Sequence, residues 1–197
     1  MASRTRIPPA ELTGVYGGLV KRMSRRMLGE VPDALGVIWH NRKVMSFSFS
    51  VARRMRSWDR CDENLKTFAH LAVASLVGCS FCLDYAYFEA HNQGLDVAKA
   101  REVPRWRESD AFTPLERDVL AYAEAMSQTP PTVTDEMSAR LLAALGPAAL
   151  VELTTVIAMS NFMTRGNVAM GIESQGFSAT CDLQPLAHPS GEVGSAA

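Results

Sequence analysis

Apolar residues in this 197-residue chain recur every three or four positions almost throughout, the period of a helix buried on one side. Leu12, Val15, Tyr16, Leu19, Val20, Met23 and Met27 form the first stripe, after Pro8 and Pro9; Gly17 and Gly18 lie inside it and weaken it. A second helical region is expected from Asp33 to about Trp58. Its stretch Phe47-Ser48-Phe49-Ser50-Val51 alternates like a strand, but one isolated strand has nothing to pair with, so helix is preferred. Asp62 reads as an N-cap before Leu65, Phe68, Ala69, Ala72, Val73 and Leu76, a run ending at Gly78. Another helical run reaches Gly94, and a short helix from Asp96 stops before Pro104.

The second half has stronger punctuation. Thr113-Pro114-Leu115-Glu116 joins an N-cap hydroxyl, a first-turn proline and a capping-box glutamate. Thr129-Pro130-Pro131 ends that helix, and Thr134-Asp135-Glu136 starts one that closes at Gly146. Pro147 then opens the longest helix, to about Gly171, apolar almost all round and therefore central. The expectation is an all-α fold of seven or eight helices. It is expected to form one domain over residues 1–186, with residues 187–197 as a flexible tail rich in Pro, Ser and Gly.

Composition narrows the class. With 47% hydrophobic and 21% charged residues the chain is neither disordered, collagenous nor a coiled-coil rod. No stretch is read as reaching the roughly 20 apolar residues of a membrane helix, and the start shows no secretory signal, so a cytoplasmic protein with no membrane partner is expected. Net charge is −1, but residues 1–60 carry 12 Lys and Arg against 4 Asp and Glu, and the rest 8 against 17. The paired arginines (Arg25 with Arg26, Arg53 with Arg54) lack interleaved stacking aromatics, so nucleic acid is not expected. The basic part is read as packing on the acidic part of its own or a neighbouring subunit. Trp39, Trp58 and Trp106 and most of the ten methionines are read as packing residues.

Four cysteines are too few for a disulfide scaffold. Two of them form Cys79-Ser80-Phe81-Cys82 at a helix start. Thiols three apart there can close a disulfide, and the unpaired N–H groups and positive dipole end favour thiolate. A thiolate attacks a peroxide or disulfide, and a neighbouring thiol resolves the product. Buried inert thiols and a metal site are the competing readings. Cys61 and Cys181 are the remaining cysteines, buried or a second pair, and their spacing does not suggest a zinc knuckle or ribbon.

The stretch from Leu65 through Gly78-Cys79-Ser80-Phe81-Cys82-Leu83-Asp84 resembles the AhpD/carboxymuconolactone decarboxylase family, as do Phe112-Thr113-Pro114-Leu115-Glu116 and the run from Leu150 to Asn161-Phe162. Together these cover roughly residues 30 to 180. The resemblance implies an all-α fold, a homo-oligomer (a trimer or hexamer), and alkylhydroperoxidase chemistry in which Cys82 attacks peroxide and Cys79 resolves. A dithiol reductant protein would restore the pair, and no bound cofactor or metal is implied. Lactone decarboxylation belongs to the branch without CxxC. The peroxidase pattern has a glutamate twelve residues before the first cysteine, where this chain has Thr67, and a histidine four after the second, where it has Ala86.

With that relay replaced, the helix dipole is expected to lower the Cys82 pKa only modestly. His70, one turn after Thr67, is the candidate substitute base or else a core-edge histidine. Tyr85 and Glu89 share the Cys82 face. Asn161 and Arg165, at i and i+4 with Asn167 nearby, are candidates to line a pocket or bridge subunits. The expected function is CxxC-dependent hydroperoxide reduction. The rivals are a non-catalytic member with a relic motif and a divergent small-molecule enzyme using the same pocket.

Overall fold

The computed structural model describes residues 5–181 and 183–188, and among them there is no strand. Eight helices follow in order: α1 (Gly14–Leu28), α2 (Asp33–Trp39), α3 (Arg42–Met55), α4 (Glu63–Val77), α5 (Ser80–Asn92), α6 (Val97–Glu102), α7 (Pro114–Ser127) and α8 (Asp135–Met170). Single 3-10 turns lie at Val103–Arg105 and Ser178–Cys181. The all-α expectation holds.

The punctuation residues act as their chemistry dictates. The Asp62 carboxylate accepts the Asn64 and Leu65 N–H groups at the start of α4, and Gly78 closes that helix at φ 75°. Thr113 and Glu116 make both halves of the capping box on α7. The expected helix over 33–58 is two helices instead. Asn41 is extended and its side chain accepts from the Lys43 and Val44 N–H groups, so it restarts the helix as an N-cap. The Phe47–Val51 stretch is helical. At the far end the backbone breaks at Gly146 (φ 76°, ψ 168°), and Pro147 sits in the turn after the break, where its missing N–H costs nothing.

Helix α4 is the centre, packed on α8, α7 and α5. Leu65, Phe68, Ala69, Leu71, Ala72 and Val73 are buried on it, and its alanines let neighbouring backbones approach. One stretch of α8 has a mean hydropathy of 1.9 over 18 residues, long and apolar enough by composition to cross a membrane. The expectation of no such stretch is thereby corrected. Here that helix lies against α4 and α7.

Leu12, Val20, Trp39 and Met45 form a separate apolar cluster in the first helices. Gly17, which the sequence reading counted against α1, is what lets α1 pack there. A Cβ on it would sit 2.7 Å from the Leu12 carbonyl carbon. The rest of the α1 stripe is uncovered: Val15 is 94% exposed, and Leu19, Met23 and Met27 are more than half exposed.

Three polar clamps hold the frame. Buried Lys66 donates to the Trp58 carbonyl (2.8 Å), Glu63 (2.6 Å) and Glu152 (3.0 Å), and Glu152 also accepts from the Arg60 and Cys61 N–H groups. Buried Asp84 on α5 accepts from the backbone N–H groups of Gly176, Phe177 and Ser178 and the hydroxyls of Ser174 and Ser178. Arg6 donates to the Val168 and Ala169 carbonyls and its own N–H to Met170, tying the N-terminal segment to the end of α8. Near the tail, Ala187 is buried with its N–H on the Arg101 carbonyl. The expected flexible tail lies, from residue 189 on, outside the described residues.

Candidate active site

Four helices turn one stripe each toward a cavity of about 340 Å³. From α8 come Val156, Ser160, Met163 and Asn167, spaced i, i+4, i+7, i+11. From α4 and the end of α3 come Glu63, Lys66, Thr67 and His70, and Ala52, Met55 and Arg56. From α5 come Phe81, Cys82, Tyr85, Ala86, Glu89, Ala90 and Gln93. The wall is mostly apolar, with its polar groups concentrated on α4, α8 and the mouth.

Cys79 is the N-cap of α5. Its sulfur accepts the Cys82 N–H at 3.4 Å. It is fully buried, whereas Cys82, 5% exposed, lines the cavity. All four cysteines are free thiols. The sequence reading expected the helix start to act on Cys82. The structure differs because the free N–H of the first turn points at the capping sulfur, which is Cys79. The Cys82 thiol donates to that sulfur as well, and together these bonds pull Cys79 down to about 7. The Cys82 pKa is raised, by that same thiol bond, by burial and by the neighbouring charge. Both effects work in one direction: they favour the thiolate at Cys79 and oppose it at Cys82. For Cys82 to attack, its proton must pass to Cys79 or to a base.

His70 lines the same cavity as Cys82. Its Nδ1 lies 2.7 Å from Ser160 Oγ, and the Ser160 hydroxyl already donates to the Val156 carbonyl at 2.8 Å. Ser160 must therefore accept from Nδ1–H, which leaves Nε2 as the lone-pair nitrogen. Burial holds the ring's pKa down to about 4, so the imidazole is neutral at physiological pH. Ser160 carries no sequence signal except its place in the α8 stripe, and the sequence reading missed it.

Thr67 and Ala86, the two relay positions, both face the cavity with no ionisable group. Tyr85 donates to Glu89 Oε1 at 3.1 Å, and Arg56 lies 3.7 Å from the same oxygen, so these three form a polar rim. Burial and the Glu89 charge push Tyr85 up to about 12. Asn161 and Arg165 are not brought to the cavity. Asn161 donates to Ser127 Oγ (2.8 Å), and Arg165 to the Ser127 carbonyl (2.5 Å) and Asn161 Oδ1 (3.2 Å). Their face of α8 is turned to the end of α7. The polar residue of this helix that does reach the thiols is Asn167, whose Nδ2 lies 3.3 Å from Cys82 Sγ. Cys61 sits in the core with its thiol pushed up to about 11 by burial and then by Glu152.

An all-α bundle holding CxxC at the mouth of its fifth helix defines a class, and the comparisons name it. The family model for the carboxymuconolactone decarboxylase family matches residues 42–125. Uncharacterized protein YnjA of Escherichia coli is 34% identical over 157 residues, 78% of this chain and 85% of that protein. This chain belongs to the carboxymuconolactone decarboxylase family. Among solved structures, an uncharacterized peroxidase-related protein of Ralstonia eutropha with an alkylhydroperoxidase AhpD core matches with TM-score 0.76 and 14% identity over 90% of this chain and 96% of that one. The debrominase Bmp8, in complex with 2,3,4-tribromopyrrole, matches with TM-score 0.75 and 21% identity over 92% and 98%. At these identities the structural likeness establishes the shared fold.

Proposed function

We propose that this protein is a thiol oxidoreductase that reduces organic hydroperoxides through a Cys79–Cys82 disulfide cycle. The observation that carries the reading is the pair itself: two free thiols joined through the Cys82 N–H at 3.4 Å from Cys79 Sγ, the outer one opening onto a mostly apolar cavity that His70 also lines. In the cycle, His70 or Cys79 takes the Cys82 proton. The Cys82 sulfur forms a bond to the distal peroxide oxygen, the O–O bond breaks, and the departing alkoxide takes a proton to leave as alcohol. Cys79, its proton passed on to that alkoxide, attacks Cys82 Sγ as the thiolate; the S–S bond forms, the S–O bond breaks, and the departing hydroxide takes a proton from solvent to leave as water. An external dithiol reduces the disulfide and is itself oxidised. It attacks Cys82, since Cys79 is fully buried, and Cys79 departs as the more stable thiolate. We place the cycle in the cytoplasm, where such dithiols are kept reduced, and in a homo-oligomer, a trimer or hexamer. No bound cofactor enters, since two thiols carry both electrons.

The test is consumption of cumene hydroperoxide with dithiothreitol as reductant. Cys82→Ser and Cys79→Ser should each abolish turnover, and His70→Gln should lower it at least tenfold at pH 7. A parent no faster than its Cys82→Ser variant would sink the reading. A second reading rests on the apolar wall and the debrominase likeness: the same sulfur attacks bromine on a brominated aromatic ring, an S–Br bond forms as the C–Br bond breaks, the ring carbon takes a proton, and Cys79 then displaces bromide to form the disulfide, which the external dithiol reduces. Bromide release from tribromopyrrole in the absence of peroxide turnover would put it first.

A further inference from the structure

We propose that Asn167 is a catalytic residue of the thiol pair, supplying from α8 a side-chain N–H that holds negative charge on the Cys82 sulfur. This rests on the thiol reading above and deepens it. Attack by Cys82 requires a moment at which the charge sits on that sulfur instead of on Cys79. The backbone offers nothing for it, because the Cys82 N–H is spent on Cys79 Sγ at 3.4 Å. The environment opposes it, because Cys82 is buried beside Ala74 and Phe81. Among the described residues the Asn167 amide compensates, with Nδ2 3.3 Å from Cys82 Sγ, within the longer range of bonds to sulfur. Its bond lowers the Cys82 pKa against all the other contributions, and lowers that of Cys79 too. An amide donor does this without adding a charge that would have to be desolvated.

The fold holds the amide in place from two sides. The Asn167 carbonyl accepts the Gly171 and Ile172 N–H groups at the helix end, so the residue sits in a closed turn. The next three carbonyls, of Val168, Ala169 and Met170, are taken by Arg6. The last turn of α8 is therefore clamped with its amide aimed at the motif. Asn167 also ends the cavity stripe of Val156, Ser160 and Met163, so α8 delivers both the histidine's partner and the sulfur's donor.

The test titrates the thiols themselves, so it stands even if no peroxide is ever turned over. Thiolate absorbance near 240 nm and iodoacetamide alkylation of Cys82, read by peptide mapping, are followed from pH 5 to 10. In Asn167→Ala the Cys82 alkylation rate at pH 7 should fall at least fivefold and its profile move to higher pH. Asn167→Asp, which replaces the donor with a carboxylate, should lower it more, by more than tenfold. Circular dichroism and the alkylation of Cys181 should match the parent. Should either variant fail to fold, Asn167→Ser, which keeps a shorter donor, is expected to alkylate at Cys82 at least twofold more slowly than the parent at pH 7. Folded Asn167→Ala or Asn167→Ser with the parent's alkylation profile would overturn the proposal.

Discussion

His70 takes its tautomer and its charge from its environment. A histidine on an amphipathic helix is most simply a core-edge residue, and the sequence reading kept both possibilities. Ser160 decides the tautomer, and burial decides the charge. The same burial has a consequence for stability. The ring titrates near 6.5 when unfolded and about 4 when folded, so between those values the unfolded chain binds the extra proton. Stability is fully present above pH 6.5 and is lost as pH falls toward 4, by up to about 3 kcal/mol. Urea denaturation at pH 7.5 and 4.5 should show this loss in the parent. It should be clearly smaller in His70→Gln, which keeps a donor toward Ser160 but does not titrate. An equal loss in both proteins would place the pH dependence elsewhere.

At the scale of elements, the clamps matter as much as the core. Asp84 points away from the cavity chemistry but fixes the wall behind it. Its carboxylate accepts five hydrogen bonds from residues 174–178, which seat Phe177 against Phe81, Tyr85 and Phe88. Burial alone would raise its pKa; the bonds from Ser178, Ser174 and Phe177 outweigh burial and hold it below the usual carboxylate value. A folded pKa below the unfolded one means its contribution is present above about pH 4 and fades as pH falls further. Replacing Asp84 by Ala strands five donors, at a cost of about 3 kcal/mol. Thermal melts should report that loss, and limited proteolysis should cut near residue 175 faster than in the parent. Unchanged melting and cleavage would show that the 174–178 segment is held by Phe177 alone. This latch was not legible in the sequence. Asp84 is one charge on a helix, and its donors, three backbone N–H groups and two serine hydroxyls, lie about ninety residues away. Helix starts at Asp62, Thr113 and Thr134 were legible, because a cap acts within three residues. The break at Asn41 shows in the sequence only as four polar residues, His40 to Lys43, between two apolar runs, which an exposed helical turn would show as well. The cavity stripe of α8 was present as spacing, but an almost uniformly apolar helix hides which face is which. Hence Asn161, Arg165 and Asn167 all read as polar positions on an apolar helix, with nothing to show that Asn167 is the one facing the thiols.

For the whole molecule, the question is what covers the first three helices. Their apolar cluster of Leu12, Val20, Trp39 and Met45 is separate from the main core. Val15, Leu19, Met23 and Met27 on α1, Val44, Phe47 and Phe49 on α3, and Phe162 on α8 remain exposed. An α1 stripe written at helical period is a stripe meant for burial, and a monomer leaves it in water. The charge division points the same way: the part that bears this surface carries 12 basic against 4 acidic residues, and the remainder 8 against 17. A second copy offers both an apolar face of the same kind and an opposite charge. Light scattering at micromolar concentration should therefore give a multiple of 21.5 kDa. Leu19→Glu with Met23→Glu places two charges on the α1 stripe and should shift the mass toward one subunit. These side chains lie far from the thiols in sequence and outside the cavity lining, so the thiolate titration should survive the change. Raising salt should weaken assembly only modestly, since apolar burial carries most of it and screening touches only the charge part. A parent mass of 21.5 kDa would end this argument. Dissociation by salt alone, with the double variant still assembled, would move the interface from the α1 stripe to the charged surfaces.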